Sequence, residues 1–130
     1  MLNPKIDDWF KLKGWEPHNY QIELNSKLSN LNSALVIAPT GGGKTLAGFI
    51  PAIADIIKEV PKGLHTLYIS PLKALANDIE RNLEFPIKEM ELDITLETRT
   101  GDTKQSRRNS QKHNPPNFLM TTPESFILML

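Results

Sequence analysis

Apolar and polar residues follow one another along the chain in a pattern that predicts strands and helices in turn. Five apolar residues over 34–38 have no polar interruption, which is typical of a strand buried on both faces of a parallel sheet. Further strands are predicted over 66–70, 94–97 and 117–121, and helices over 46–57, over 71–83 and from Pro123 onwards. This alternation predicts a parallel α/β sheet with right-handed crossovers. Pro51, inside the first of those helices, must cost a backbone hydrogen bond or kink the helix.

Two short helices are predicted before the first strand. Asn3 can cap the free N–H groups of a helix and Pro4 tolerates its first position, so a helix begins there and runs towards Gly14. A second amphipathic stretch follows the turn at 14–17 and fades near residue 33. We therefore expect a helical region over 1–33 and an α/β region over 34–130.

Composition limits the classes of protein that fit. A chain of 130 residues with 39% hydrophobic content is large enough for one compact domain. Its 15 basic and 15 acidic residues cancel, so a polyanion would have to bind a local patch. The absence of cysteine excludes disulfides and thiolate metal sites. No apolar run is long enough to span a bilayer, so the expectation is a cytoplasmic protein that does not bind membranes. A monomer is expected as well.

Residues 38–45, Ala-Pro-Thr-Gly-Gly-Gly-Lys-Thr, lie between a predicted strand and a predicted helix, where a glycine-rich loop can wrap its N–H groups around phosphate. Lys44 can reach the β- and γ-phosphates, and the Thr45 hydroxyl can hold Mg²⁺. A flexible hairpin tip would have no reason to end in Lys-Thr. The predicted nucleotide-binding residues of the loop are Pro39, Thr40, Gly41, Gly42, Gly43, Lys44 and Thr45, with Lys44 and Thr45 catalytic and Thr45 the metal ligand.

Four blocks of the chain resemble, in order, the motifs of superfamily 2 helicases. The glycine-rich loop resembles motif I, residues 70–76 (Ser-Pro-Leu-Lys-Ala-Leu-Ala) motif Ia, residues 99–103 (Arg-Thr-Gly-Asp-Thr) motif Ib, and residues 121–126 (Thr-Thr-Pro-Glu-Ser-Phe) the next strand-contacting motif. The combination is similar to Lhr-type DExH helicases, and residues 9–21 favour their ligase-associated branch. This resemblance implies part of a RecA-like P-loop NTPase domain that uses ATP to move 3′ to 5′ along DNA, in DNA repair.

Pro17 and Gln21 match the upstream element that contacts adenine in these helicases. A glutamine amide carries a donor and an acceptor side by side and can pair with adenine N6 and N7, which favours ATP over GTP. The alternative is that Gln21 is merely exposed on the second helix. Trp9, Phe10 or Trp15 could stack on the base, although aromatic residues at helical spacing are more often part of the core.

The remaining three blocks directly follow predicted strands, so they should gather at the carboxyl edge of the sheet, where α/β proteins bind ligands. The predicted nucleic-acid-binding residues are Pro71, Lys73, Thr100, Gly101, Thr122 and Pro123. Asp102 is expected to organise its loop through backbone N–H groups instead of touching phosphate. Five basic residues lie near this acid: Arg99, Lys104, Arg107, Arg108 and Lys112. They could line a strand channel or form a solvated helix face.

Hydrolysis in such motors needs an acidic pair that holds Mg²⁺ and orients water. The family places an Asp-Glu-x-His block after the Thr-Thr-Pro-Glu-Ser helix, and Asp-Glu does not occur in this sequence. We therefore expect a truncated first motor domain that binds ATP and Mg²⁺ with negligible turnover. The resemblance implies a single DNA strand or a 3′-tailed duplex as partner, or RNA, and a DNA ligase or nuclease encoded nearby. The alternative is a non-catalytic P-loop module that binds only nucleotide or nucleic acid.

Overall fold

The structure, a computed structural model, describes residues 2–30, 33–37 and 43–130. The chain forms two compact units, one ending at Glu59 and the other comprising Val60–Leu130. The elements in chain order are α1 (Pro4–Leu12), α2 (Asn19–Leu28), α3 (Lys44–Lys58), β1 (Thr66–Ile69), α4 (Lys73–Glu89), β2 (Leu96–Arg99), α5 (Gln105–His113), β3 (Phe118–Thr121) and α6 (Pro123–Met129). Among these helices, none is long and apolar enough to cross a membrane.

The first unit begins with the two predicted helices. The Asn3 side chain accepts a hydrogen bond of 2.9 Å from the Lys5 N–H, which caps α1 as its sequence predicts. The buried Trp9 ring of α1 meets the rings of Phe10 and Trp15 edge to face, with centroids 5.3 and 5.6 Å apart. The three aromatic residues considered for stacking on a base are thus packed against one another.

Helix α2 lies against α3 within this unit. Glu23 and Lys27 form an exposed ion pair of 2.7 Å along α2, and the hydrogen bond and charge of Lys27 lower the pKa of Glu23. Helix α3 is continuous through Pro51, so the proline costs a backbone hydrogen bond without ending the helix. Its apolar face is buried: Ala47, Phe49, Ile50, Ile53, Ala54 and Ile56.

The strand predicted over 34–38 is wrong for the part that the structure describes. Residues 33–37 form no regular secondary structure, and Leu35 and Ile37 are 85% and 89% exposed. A strand is stabilised by backbone hydrogen bonds to a neighbouring strand, and the described residues of the first unit contain helices but no strand. An uninterrupted apolar run indicates a preference for burial but does not supply the pairing partner.

The second unit contains a parallel sheet with strand order β1-β3-β2. Strand β3 is central, and all four of its residues are buried. Its register aligns Phe118 with Thr66 on one side and with Leu96 on the other. The predicted helix after β1 is longer than expected, since α4 continues through Pro86 to Glu89. The polar segment after β2 forms α5, a helix of nine residues.

The buried Asn117 side chain joins the loops that lead into the sheet. Its Oδ1 atom accepts a hydrogen bond of 3.0 Å from the Thr95 N–H. Its Nδ2 group donates to the carbonyl oxygens of Pro61 at 3.3 Å and Gly63 at 2.8 Å. The bond to Thr95 takes the place of a ladder hydrogen bond, which explains why β2 begins at Leu96, two residues later than predicted.

Replacing Asn117 by alanine should lower the free energy of unfolding by about 2 to 4 kcal/mol, because it removes part-buried hydrogen bonds to one N–H group and two carbonyl groups. Asn114→Ala, at an exposed position three residues earlier, is the matched control and should change the free energy of unfolding by less than about 0.5 kcal/mol. Urea denaturation of the two variants measures the difference. Equal destabilisation of both would contradict the role assigned to Asn117.

Candidate nucleotide and nucleic-acid sites

The described part of the glycine-rich loop ends at the start of α3. Gly43 is the N-cap residue, and its φ of 78° is a left-handed conformation that glycine adopts without strain. Among the described residues, no side chain caps the helix, so its first N–H groups can receive an anion. The predicted loop residues Pro39, Thr40, Gly41 and Gly42 lie outside the described residues.

Lys44 and Thr45 form the first two positions of α3, and both are exposed. Among the described residues, no carboxylate forms an ion pair with Lys44. A cation and a hydroxyl therefore stand together at the positive end of a helix dipole. This combination suits the phosphates of a nucleotide and, through Thr45, a magnesium ion.

Gln21 connects α2 to the end of this loop. Its side chain is buried, with the residue 2% exposed, so the alternative that Gln21 is merely exposed on a helix is wrong. Its Oε1 atom accepts from the His18 N–H at 2.8 Å, and its Nε2 group donates to the Gly43 carbonyl at 3.1 Å. Because an amide has two N–H donors and two lone pairs, these two hydrogen bonds leave one donor and one acceptor position of Gln21 unused.

The residues beside Gln21 include an aromatic pair that was not predicted. The rings of His18 and Tyr20 are stacked, with centroids 5.5 Å apart and planes within 6°. The Tyr20 hydroxyl is buried and has no hydrogen-bond partner among the described residues. The sequence signal was the presence of two aromatic rings at the start of α2, next to the candidate adenine-contacting residue.

The three blocks in the second unit meet at the carboxyl edge of the sheet. Ile69, Thr121 and Arg99 are aligned in the register of the parallel strands, so the residues after them leave the sheet in one row. Of the six predicted nucleic-acid-binding residues, Pro71, Lys73 and Gly101 are exposed. Pro123 is half-buried, and Thr100 and Thr122 are buried.

The two buried threonines organise the backbone. Thr122 Oγ1 accepts a hydrogen bond of 3.4 Å from the Ser125 N–H and caps α6. Thr100 Oγ1 accepts one of 3.2 Å from the Asp102 N–H and stabilises the turn after β2. The two hydroxyl groups are thus bound to structural partners, and the Lys73 ammonium is the exposed polar side-chain group among the six predicted residues.

Lys73, at the start of α4, forms an ion pair of 3.2 Å with Asp102, and both side chains are more than half exposed. The prediction that the Asp102 side chain organises its loop through backbone N–H groups is wrong, because the carboxylate binds the Lys73 ammonium instead. The pair joins two of the sequence blocks. It also places the lysine close to Gly101, where an added Cβ would be 3.4 Å from the Lys73 Nζ atom.

The basic residues near Asp102 do not share one environment. Lys104 and Lys112 are exposed, and the Arg107 Nε atom lies 3.1 Å from the Glu97 carboxylate. Arg108 is half-buried and donates to backbone carbonyl groups. A polar cleft of about 510 Å³ opens beside them, between α4, β2 and the start of α5. Of the two alternatives considered for this run, the solvated helix face describes Lys104 and Lys112, and the strand channel stays a hypothesis.

Comparison with known proteins identifies the family. Residues 18–130 match the model described as DEAD/DEAH box helicase. The chain belongs to this helicase family. It is 44% identical over 136 residues to "Lhr helicase/probable uracil glycosylase" of Mycolicibacterium smegmatis, covering 95% of this chain and 9% of that protein. It is 37% identical over 148 residues to "ATP-dependent helicase Lhr-Core" of Methanocaldococcus jannaschii, covering 100% of this chain and 17% of that protein.

A solved structure of an Lhr helicase is also similar to this chain. Helicase Lhr of Mycobacterium smegmatis bound to ssDNA and AMP-PNP has a TM-score of 0.89 and 41% identity, covering 98% of this chain and 18% of that chain. The similarity confirms the predicted α/β, RecA-like fold and the resemblance to Lhr-type helicases. This chain thus spans between 9% and 18% of the length of these relatives. The narrower resemblance to the ligase-associated branch stays a prediction.

Replacing Gly43 by alanine should lower the free energy of unfolding by about 1 to 2 kcal/mol, because a side chain is strained at this φ. The new Cβ would also lie 2.7 Å from the Gln21 Nε2 atom and displace its hydrogen bond. Gly48→Ala is the matched control: nothing lies within 4 Å of its Cβ, and it should stabilise α3 by about 0.5 to 1 kcal/mol. Thermal unfolding of both variants measures these changes in stability. A Gly43→Ala variant as stable as the unmodified protein would contradict the assignment.

Proposed function

We propose that this chain is the ATP-binding portion of an ATP-dependent DNA helicase or translocase. The observation that carries the proposal is the uncapped start of α3, where Lys44 and Thr45 are exposed and the neighbouring Gly43 is bound by Gln21. A flexible glycine-rich turn has no need of this arrangement. The Mycobacterium smegmatis helicase Lhr structure that this chain resembles contains AMP-PNP, which supports ATP as the ligand.

In this proposal each residue has a separate task. The N–H groups at the start of α3 and the Lys44 ammonium bind the phosphates, and Thr45 holds Mg²⁺. Gln21 contacts adenine with the donor and acceptor positions that its two hydrogen bonds leave over. The region 1–33 would therefore be the adenine-contacting element, and 34–130 the part of the motor domain that carries the phosphate loop and strand-binding blocks. When bound, Mg²⁺ neutralises charge on the phosphates.

Single-stranded nucleic acid is the proposed partner of the carboxyl edge of the sheet. The exposed Lys73 and Gly101 supply a cation and a backbone donor, the two kinds of group that bind phosphate without regard to sequence. Pro71, Thr100, Thr122 and Pro123 would shape the loops around them. The ssDNA in the similar Lhr structure favours DNA.

For the whole protein we propose ATP-driven movement along one DNA strand, in the 3′ to 5′ direction and in DNA repair, with a ligase or nuclease as partner. The second candidate is a P-loop module that binds nucleotide or nucleic acid without hydrolysing ATP. Strand displacement by the full-length protein, with DNA and RNA tracking strands, distinguishes these. ATP-dependent unwinding of a 3′-tailed DNA duplex supports the motor, and ATP binding by the full-length protein without hydrolysis supports the second candidate.

Lys44→Ala should abolish ATP binding to the chain, because the variant loses the cation that faces the phosphates. Lys58→Ala removes an equally exposed lysine from the other end of α3 and is the matched control. Isothermal titration with ATP and Mg²⁺ should give unchanged affinity for the control. An unchanged affinity for Lys44→Ala as well would place the phosphates elsewhere.

Lys73→Ala should weaken binding of single-stranded DNA, whereas Asp102→Asn should strengthen it by about twofold to fivefold, because it removes a negative charge and releases the lysine. Lys88→Ala, an exposed lysine in the last turn of α4, is the control for Lys73→Ala. Fluorescence anisotropy with a labelled oligonucleotide measures the three affinities. Weaker binding by Asp102→Asn would mean that the ion pair positions the lysine productively.

A further inference from the structure

Arg108 differs from the other basic residues around α5 in what it binds. It is half-buried, and its Nη2 group donates to the carbonyl oxygen of Thr100 at 2.9 Å and to that of Gly101 at 3.2 Å. Its Nε atom is buried without a hydrogen-bond partner among the described residues. The guanidinium therefore faces the inner side of the turn after β2, and its neighbour Arg107 is 62% exposed.

The turn itself is closed by short-range hydrogen bonds. The Thr100 N–H donates to Thr103 Oγ1 at 2.9 Å, and the Thr103 N–H donates to the Thr100 carbonyl at 3.2 Å. The Asp102 N–H donates to Thr100 Oγ1 at 3.2 Å. Of the four backbone N–H groups in residues 100–103, that of Gly101 alone has no acceptor among the described residues.

Peptide geometry relates this N–H to Arg108. In a trans peptide the C=O of one residue and the N–H of the next point in opposite directions, and the described chain has no cis peptide bond. The Thr100 carbonyl points at the guanidinium, so the Gly101 N–H points away from it. A cation at the carbonyl oxygen also polarises the peptide unit and strengthens its N–H as a donor.

The outward side of the turn already has a cation beside it, the Lys73 ammonium, which forms the exposed ion pair with Asp102. Gly101 is exposed, and an added Cβ there would lie 3.4 Å from the Lys73 ammonium. A polarised N–H beside an ammonium group is suited to one phosphate oxygen, since both groups donate and neither accepts.

We propose that Arg108 is a positioning residue that holds the Gly101 N–H towards a phosphate of the bound strand without touching the phosphate itself. This inference rests on the proposed function of the carboxyl edge of the sheet. In this proposal Arg108 binds the carbonyl groups of the turn, whereas the Gly101 N–H and the Lys73 ammonium contact the phosphate. The competing possibility, that Arg108 contacts phosphate directly, differs in its dependence on salt.

The test compares Arg108→Gln and Arg108→Lys with the control Arg107→Gln in binding to a fluorescent oligothymidylate across a series of salt concentrations. Arg108→Gln should weaken binding about fivefold to tenfold, which corresponds to loss of one well-placed hydrogen bond. The slope of log affinity against log salt should stay unchanged. A direct phosphate contact would instead reduce the slope by about 0.7 and overturn the proposal.

A second measurement, of amide chemical shifts, distinguishes loss of this hydrogen bond from misfolding of the variant. The amide proton of Gly101 should move upfield in Arg108→Gln as the peptide unit loses its polarising cation, while other amides of β1 and β3 keep their shifts. Arg108→Lys, which keeps a cation but lacks the planar fork, should restore part of the affinity. Unchanged affinity or an unchanged Gly101 resonance in Arg108→Gln overturns the proposal. If the unmodified protein binds no oligothymidylate while the Gly101 resonance responds as expected, the function proposed for this edge fails instead.

Discussion

The pairing of β3 with a parallel strand on each side is the constraint on which the second unit depends. Its four buried residues are in register with Thr66–Ile69 on one side and with Leu96–Arg99 on the other. Since the three strands run in the same direction and end in the same row, the chain leaves the sheet three times at one edge. Sequence blocks about 25 residues apart are thereby brought together, and Lys73 can meet Asp102.

Side chains at this edge and at the start of α3 act mainly on the backbone. Three buried side chains form hydrogen bonds with backbone N–H and carbonyl groups: those of Thr100, Thr122 and Gln21. Backbone donors held in this way lose little conformational freedom when an anion arrives, since their positions are already determined. The exposed lysines then add charge, which is long-ranged and sensitive to salt.

Much of the fold could be predicted because local signals sufficed. The Asn-Pro cap defined α1, and the runs before residues 70 and 122 matched two strands of the sheet, of which β3 is buried. Where partners distant in sequence decide the outcome, prediction was incomplete. The apolar run over 34–37 forms no regular secondary structure, and β2 starts late because the Asn117 side chain takes a ladder position. A basic residue at position 108 could not by itself predict that the Arg108 side chain binds two backbone carbonyl groups.

The range of the hydrogen bonds made by Asn117 has a consequence for the order of folding. Its amide bonds to Pro61 and Gly63 span 56 and 54 residues of chain, whereas the bonds of the turn at 100–103 span five residues or fewer. Closing a long loop costs more chain entropy than closing a short one. The turn can therefore take shape in a largely unfolded chain, while the Asn117 bonds require β1 and β3 to have met, so they form late and report on a completed sheet.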